Sequence, residues 1–372
     1  MSCPSKPSAF HSIVLSLVIA HNSGIRQTVK RRASRAGVPA PLRPSAQTDV
    51  RLGQIVRVLL DHATVIVSGT KLASEIGTSR SDVWRLVQQL RELGVDIGGH
   101  PASGYRLNSV PDLLLPDILA PELQRTVFGK HIHHYYKTGS TNDLAMDAAA
   151  GGAPEGSVFL AEQQTAGRGR GTHQWHSAQS VGIYCSVVLR PKLPPSEVLI
   201  LSLAAGLAVR AAVRELDAQI APDLKWPNDL LLGGKKFCGI LAEMTAEPTR
   251  VRYVVVGIGI NVNQASFPPD LQGSATSLRA ATGTEYSRLQ LCAALLKSLD
   301  REYRDLLEQP EVRDSVLRRF AECSSTVEGA RVHVDENGGF EGITHGLDSR
   351  GFLLVQTPQG VRTVLSGTVR SS

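Results

Sequence analysis

The sequence predicts an α+β protein of three folded modules behind a basic tail, and three observations carry that prediction. Residues 49–110 read as three short amphipathic helices followed by two strands. Residues 111–323 mix apolar, β-branched runs with long helical patterns. Residues 324–372 are almost entirely short strands divided by Gly and Asp. A length of 372 residues suits two or three domains. An apolar content of 42% supplies material for a substantial core.

The tail, residues 1–48, holds Lys6, Arg26, Lys30, Arg31, Arg32, Arg35 and Arg43 and no acid. The net charge of +6 therefore belongs to the tail, and the rest of the chain is near neutral. Its basic total is no argument for a nucleic-acid-binding fold. The tail is expected to be disordered, or to reflect a start codon assigned too far upstream. Its apolar run, residues 13–20, is short and has no clean cleavage site after it, which argues against export. Cys3, Cys185, Cys238, Cys292 and Cys323 show neither CxxC pairing nor metal-ligand spacing. They are read as reduced thiols of a cytoplasmic protein, with no metal site. No apolar run is read as long enough to span a membrane.

In residues 49–110, Ile55, Val56, Leu59 and Leu60 give a first helix its apolar face. Gly69 and Thr70 open a second helix, residues 71–76. A third runs over residues 79–93, with Val83, Leu86, Val87 and Leu90 on one face at helical spacing. Ala73, Gly77 and Val83 have the spacing of a helix-turn-helix: a small residue where the helices cross, a glycine in the turn, an apolar pin beyond it. Val95 to Ile97 and Tyr105 to Leu107, around a Gly/Pro turn, predict a wing. The start of such a third helix enters the major groove. Ser79, Arg80, Ser81, Trp84 and Arg85 are therefore the DNA-binding candidates, and a pair of copies is expected to be needed for useful affinity.

Residues 111–124 predict a linker or short helix. Thr138-Gly139-Ser140-Thr141-Asn142 then precedes a helix over residues 143–150, offering hydroxyls and an amide at a helix start. A strand over residues 157–160 leads into Ala161 to Trp175, AEQQTAGRGRGTHQW. Glycine lets backbone approach a ligand closely, and arginine presents a planar fork of donors suited to carboxylate and phosphate. A strand over residues 181–189 and a buried helix over residues 198–216 follow. Lys225 ends a further strand and begins Lys225-Trp226-Pro227-Asn228-Asp229. Gly233-Gly234-Lys235-Lys236 turns the chain, and residues 239–243 begin another strand. Residues 254–260 predict a core strand ending at Asn261, whose Gly257 and Gly259 are expected to let a flat ligand lie on the backbone. A helix covers residues 289–307. The last module predicts strands at 332–334, 340–343, 346–348, 352–356 and 361–365, a small β-barrel that packs on the middle domain.

Five motifs in this order are highly specific: GST(N) at 139–142, AEQQTAGRGR at 161–170, KWPND at 225–229, KKFCGILAE at 235–243 and VVVGIGINVN at 254–263. With them the chain, from residue 51 onward, resembles the biotin–protein ligases, and its helix-turn-helix resembles the bifunctional type that also represses biotin synthesis genes. The resemblance implies a central mixed β-sheet with flanking helices, like that of class II aminoacyl-tRNA synthetases, and a C-terminal Src-homology-3-type barrel. It implies biotin and ATP as substrates, Mg²⁺ as cofactor, biotinyl-AMP as intermediate, and a lysine of the biotin carboxyl carrier protein of acetyl-CoA carboxylase as acceptor. It also implies operator DNA as a partner and a homodimer when the adenylate is bound. By resemblance, Ser140, Thr141, Asn142, Gln164, Arg168, Gly169, Arg170 and Lys225 bind biotin. Gly167, Trp175, Asn228, Gly257 and Asn261 bind the adenylate. Charge builds on the phosphorus oxygens when a carboxylate attacks ATP, so Arg168, Arg170 and Lys225 are the catalytic candidates. Gly171-Thr172-His173-Gln174 departs from the basic continuation usual in the family and is expected to alter loop closure. Two alternatives are a lipoate ligase and a winged-helix transcription factor with an inactive ligase domain.

Overall fold

The computed structural model describes residues 15–16, 44–109, 112–308, 312–336, 338–365 and 368–371. The expectation for the tail therefore lies largely outside the described residues. A two-residue strand, β1 (Leu15–Ser16), pairs with Met244 and Glu243. The first helix, α1 (Pro44–Asp61), begins inside the predicted tail rather than after residue 48. A proline suits that first turn because its missing N–H has no helical partner there.

The N-terminal module continues with α2 (Gly69–Glu75), α3 (Arg80–Glu92) and the wing strands β2 (Ile97–His100) and β3 (Gly104–Leu107). The helix-turn-helix spacing works as predicted: Ala73 and Val83 are buried, and Gly77 turns at φ +62°. Arg91 ties the wing to α3 by donating to Ile97 O (2.9 Å) and Gly99 O (2.8 Å).

The linker has neither helix nor strand from Asp112 to Leu115, whose own backbone is extended, and then forms α4 (Pro116–Glu122). Its leucines alternate. Leu113 and Leu115 join the core of the winged helix, while Leu114 joins the core of the central domain. Successive side chains of an extended segment point to opposite sides, so one short stretch serves both modules. A buried ionic cluster clamps it. Glu162 accepts from Leu114 N–H (3.0 Å) and from Arg288 Nη1 (2.7 Å), and lies 2.9 Å from His134 Nε2. Arg288 also donates to Asp112 Oδ2 (3.1 Å) and to Asp112 O. Burial pushes the Glu162 carboxyl up, but Arg288 and His134 outweigh this and hold it at about 2.

The central domain adds β4 (Ile132–Tyr135), α5 (Thr141–Ala150), β5 (Val158–Ala161), β6 (Gly182–Leu189), α6 (Leu199–Leu216), β7 (Asp223–Lys225), β8 (Asp229–Leu232), β9 (Lys235–Ala246), β10 (Val251–Asn261), α7 (Leu278–Thr282), α8 (Arg288–Glu308) and α9 (Val312–Glu322). Its sheet runs β4-β5-β6-β10-β9-β8-β7, with β1 beside β9. Only β4 and β5 pair in parallel among the described strands, which makes the sheet mixed. All eight residues of β6 are buried because both faces of the sheet are covered, so a purely alternating pattern is not required. Helix α6 corrects one expectation. By length and composition, residues 195–216 form a helix apolar enough to cross a membrane. Here most of that stretch is buried inside the protein, as the core helix of a globular domain would be.

The C-terminal strands are β11 (Glu328–Val334), β12 (Phe340–Leu347), β13 (Leu353–Thr357), β14 (Gly360–Val364) and β15 (Val369–Ser371). They form one antiparallel sheet, in the order β14-β13-β12-β11-β15. The strands predicted at 340–343 and 346–348 are a single strand: the register shifts between Thr344 and Leu347, and Gly346 takes φ +85°. The module packs on the central domain as expected. Its buried residues belong to the same core, and Trp226 Nε1 donates to Gly351 O (2.8 Å).

Candidate functional site

Two loops zip together to form one end of the site. Thr138 N–H donates to Gln163 O, and Thr165 and Ala166 N–H donate back to Thr138 and Gly139 O. This brings Gln164 to the start of α5. Its amide oxygen accepts from Thr141 N–H (2.8 Å) and the Thr141 hydroxyl (3.1 Å), and its Nε2 donates to Ser177 Oγ (2.9 Å). Ser140 holds the N-cap position of α5 without a side-chain capping bond. Gln164 supplies the acceptor that a cap residue ordinarily gives. Asn142 is 5% exposed and its amide is committed. It donates to Glu243 Oε2 (2.9 Å) and Leu241 O (3.3 Å), and Ser186 Oγ lies 2.6 Å from its Oδ1. Gly257 leaves it room, since a Cβ there would fall 2.0 Å from Asn142 Oδ1. Gly257→Ala should therefore lower the melting temperature by several degrees, as overpacking costs about 1–3 kcal/mol. Gly273→Ala, which meets no neighbour within 4 Å, is the control; equal melting temperatures would exclude the packing role.

The arginine–glycine loop is a short hairpin. Trp175 N–H donates to Gly167 O (2.9 Å), Gly169 N–H to His173 O (2.8 Å), and His173 N–H to Arg170 O (3.2 Å). Gly171 turns it at φ +61°. The departure at Gly171-Thr172-His173-Gln174 thus forms the exposed tip of a bonded turn. The Trp175 indole lies on Gly259 and Gly239, where a Cβ would come within 2.5 and 3.0 Å of it. The glycines expected beneath a flat ligand are covered in this structure by Asn142 and Trp175 of the chain itself.

The opposite wall comes from the strand ends around residues 225–236. Lys225 ends β7, and Asn228 braces the turn by donating to Ile240 O (2.8 Å). Lys236 lies 2.6 Å from Asp229 Oδ1 and 5.4 Å from the centre of the Trp175 ring. Burial lowers the affinity of the Arg170 guanidinium for its proton, and Asp229 opposes this. A narrow inner lobe of about 50 Å³ and an outer lobe of about 510 Å³ share Gly169, Arg170, Trp175, Asn228 and Lys236. Ser140, Thr141, Asn142, Gln164, Arg168 and Gly257 line the inner lobe. Lys225 lines the outer one, with Thr368 and Val369 of the C-terminal module.

Three of the expected site residues are engaged within the chain itself. Asn261 lines neither lobe; its amide donates to Thr276 O (3.0 Å) and accepts from Gln264 Nε2 (3.1 Å), pinning the loop after β10. Gly167 lines neither lobe either. It is small because Trp175 O and Ser177 Oγ crowd it. Arg168 lines the inner lobe, but both its Nη atoms bond Glu243, and Nη2 also bonds Asp143 (2.6 Å). It is not a free cation in this structure. Lys236 and Glu243 received no role from the sequence. A glutamate inside the apolar run Ile240 to Met244 was the available signal, because a buried charge requires a partner.

On the winged helix, the Ser79 hydroxyl caps α3 by accepting from Asp82 N–H (3.1 Å), and Arg85 pairs with Asp82 (2.9 Å). Those two side chains are engaged within the helix. Arg80 bonds Pro101 O in the wing, Ser81 is exposed, and Trp84 stands 46% exposed on α3.

Three family models match this arrangement in order: HTH domain over residues 51–106, Biotin/lipoate A/B protein ligase family over 136–261, and Biotin protein ligase C terminal domain over 329–370. The bifunctional ligase/repressor BirA of Bacillus subtilis is 37% identical over 318 residues, covering 85% of this chain and 97% of that protein. The chain belongs to the biotin protein ligase family. The biotin–[acetyl-CoA-carboxylase] ligase of Mycobacterium tuberculosis is 38% identical over 235 residues, 62% of this chain and 84% of that one. The solved biotin protein ligase from Aquifex aeolicus, in complex with biotin and ATP, has a TM-score of 0.56 and 30% identity. It covers 65% of this chain and 100% of its own. The central mixed sheet is thus the biotin protein ligase fold, and an N-terminal helix-turn-helix domain is added to it here.

Proposed function

We propose that the chain couples biotin to ATP, forming biotinyl-5′-AMP and pyrophosphate, and then transfers the biotinyl group to a lysine of a biotin carboxyl carrier protein, that of acetyl-CoA carboxylase. The observation that carries this reading is one cleft with amides and hydroxyls at one end and cations at the other. Gln164, Thr141 and Ser140 offer the donors and acceptors that a buried ureido ring needs. Arg170, Lys236 and Lys225 face the region where a carboxylate must meet the α-phosphate. Fixed positive charge there offsets the repulsion of two anions and the charge that builds on phosphorus oxygens. The 167–175 hairpin shields the acyl phosphate from water. In the second step the carrier amine attacks the acyl carbon, the C–O bond to AMP breaks, an amide forms and the amine loses a proton.

Mg²⁺ would neutralise phosphate charge, and it usually arrives on the nucleotide with one or two carboxylates of the protein. Among the described residues no cluster of three His, Cys, Asp or Glu forms a metal cage, and Asp229 at the outer lobe is the carboxylate suited to the nucleotide-bound ion. The test is incubation with ATP, Mg²⁺, carrier domain, and biotin or lipoate, read by mass spectrometry of the carrier. Biotin on the carrier lysine is the expected product. Lipoate in its place would transfer the reading to the sister activity.

The same chain acts as a biotin-responsive repressor in this reading, in the cytoplasm, binding operator DNA as a pair of copies that forms when the adenylate is held. Free, buried Cys185, Cys238 and Cys292 agree with a reducing compartment. Trp84→Ala should weaken operator binding at least tenfold, since contacts to base edges are worth about 1–3 kcal/mol. A gel shift with biotin and ATP reads this, and unchanged binding would remove α3 from the groove.

A further inference from the structure

We infer that Glu243 is a positioning residue of the ligase site, and that Arg168 works through it as a strut joining the arginine–glycine loop to the sheet. This inference rests on the biotin-activating reading above. Glu243 is 1% exposed on β9. Its two oxygens accept from Arg168 Nη1 (3.0 Å), Arg168 Nη2 (2.8 Å) and Asn142 Nδ2 (2.9 Å). One carboxylate therefore fixes both the loop that closes the site and the amide at the start of α5.

The charges divide accordingly. Arg168 faces two carboxylates, Glu243 and Asp143, so that group is net negative and would repel a phosphate. Around the outer lobe, Arg170, Lys225 and Lys236 face one carboxylate, Asp229, so that group is net positive. The two arginines of the GRGR motif both line the inner lobe, and Arg170 alone also lines the outer one. One guanidinium is consumed in holding the loop, and the other faces the cleft. A bidentate fork on a buried carboxylate suits a strut, because it fixes orientation as well as distance.

The inference also says what removing Arg168 does. It leaves Glu243 buried without a countercharge, which is destabilising by itself. Loss of activity in such a variant would then mimic a catalytic role. The experiment uses the full chain and compares wild type, Arg168→Met, Glu243→Gln, and the double variant Arg168→Met/Glu243→Gln. Glutamine keeps an acceptor for Asn142 and removes the charge. Melting temperature and biotin-dependent ATP–pyrophosphate exchange are measured for each.

Arg168→Met should melt roughly 5 °C or more below wild type and lose at least tenfold in exchange, mainly through a raised KM for biotin. The double variant should regain most of that melting temperature and at least a third of wild-type exchange. A double variant that regains its melting temperature yet stays as inactive as Arg168→Met would overturn the inference, because Arg168 would then act on the reacting groups. So would an Arg168→Met protein that melts like wild type. No biotin-dependent exchange in the wild type would instead refute the proposed activity, and the melting temperatures would still decide whether the strut exists.

Discussion

Lys236→Ala is expected to slow biotinyl-adenylate formation by about 10²–10³-fold, the range seen when one preorganised electrostatic group is lost. Lys236 lies in the wall shared by both lobes, between Asp229 and the Trp175 ring, so its ammonium is held at the junction of the two lobes. Lys236→Arg should recover part of the loss, since charge is kept while the compact ammonium is replaced by a planar fork. Single-turnover formation of the adenylate separates this step from transfer to the carrier. An unchanged single-turnover rate in Lys236→Ala would place the reacting phosphate elsewhere.

Arg288→Met is expected to cost about 3–5 kcal/mol, because it removes the main countercharge of the buried Glu162 and leaves only His134 beside it. Both residues are buried completely or nearly so, and Leu114 of the linker depends on Glu162 for a backbone partner. Thermal unfolding should shift down by about 10 °C, and a protease should cut faster between the modules. The pH dependence has a definite sign. The Glu162 carboxyl is held at about 2, below its ordinary value of 4.5. A depressed carboxyl stabilises the fold fully above its unfolded value and loses that contribution as pH falls through the folded one. Wild type should therefore lose stability on acidification from about pH 4.5 toward 2 by more than Glu162→Gln does. Parallel acid-unfolding curves for the two proteins would show that the cluster carries no net charge energy.

The helix-turn-helix was legible because its parts are local. Ala73, Gly77 and Val83 each do one thing at fixed spacing, and Ser68 and Ser79 sit where helix starts need acceptors. The central strands were legible from their β-branched runs. Helix α9 is not among the expected elements, although Val312, Val316, Leu317 and Phe320 have helical spacing. The site was half legible. Residue types suited to anions mark the GRGR loop, yet nothing local tells which arginine is taken up by the chain's own carboxylates. That choice is made by Glu243 and Asp143, 75 residues later and 25 residues earlier than Arg168. Asn261 illustrates the same limit, because the loop that takes up its amide is close only after folding. Lys235 and Lys236 are adjacent, and the strand turns one outward to Gln272 O and the other toward the cleft.

The alternating leucines of the linker bear on how the DNA-reading module is aimed. Leu113 and Leu115 are rooted on one side, Leu114 on the other, and Asp112 is gripped by Arg288. Such a joint behaves as a bracket instead of a swivel. Two copies brought together on an operator would present their reading helices at a separation set by the protein, so inserting or deleting base pairs between the half-sites should not be absorbed by rotation at this joint.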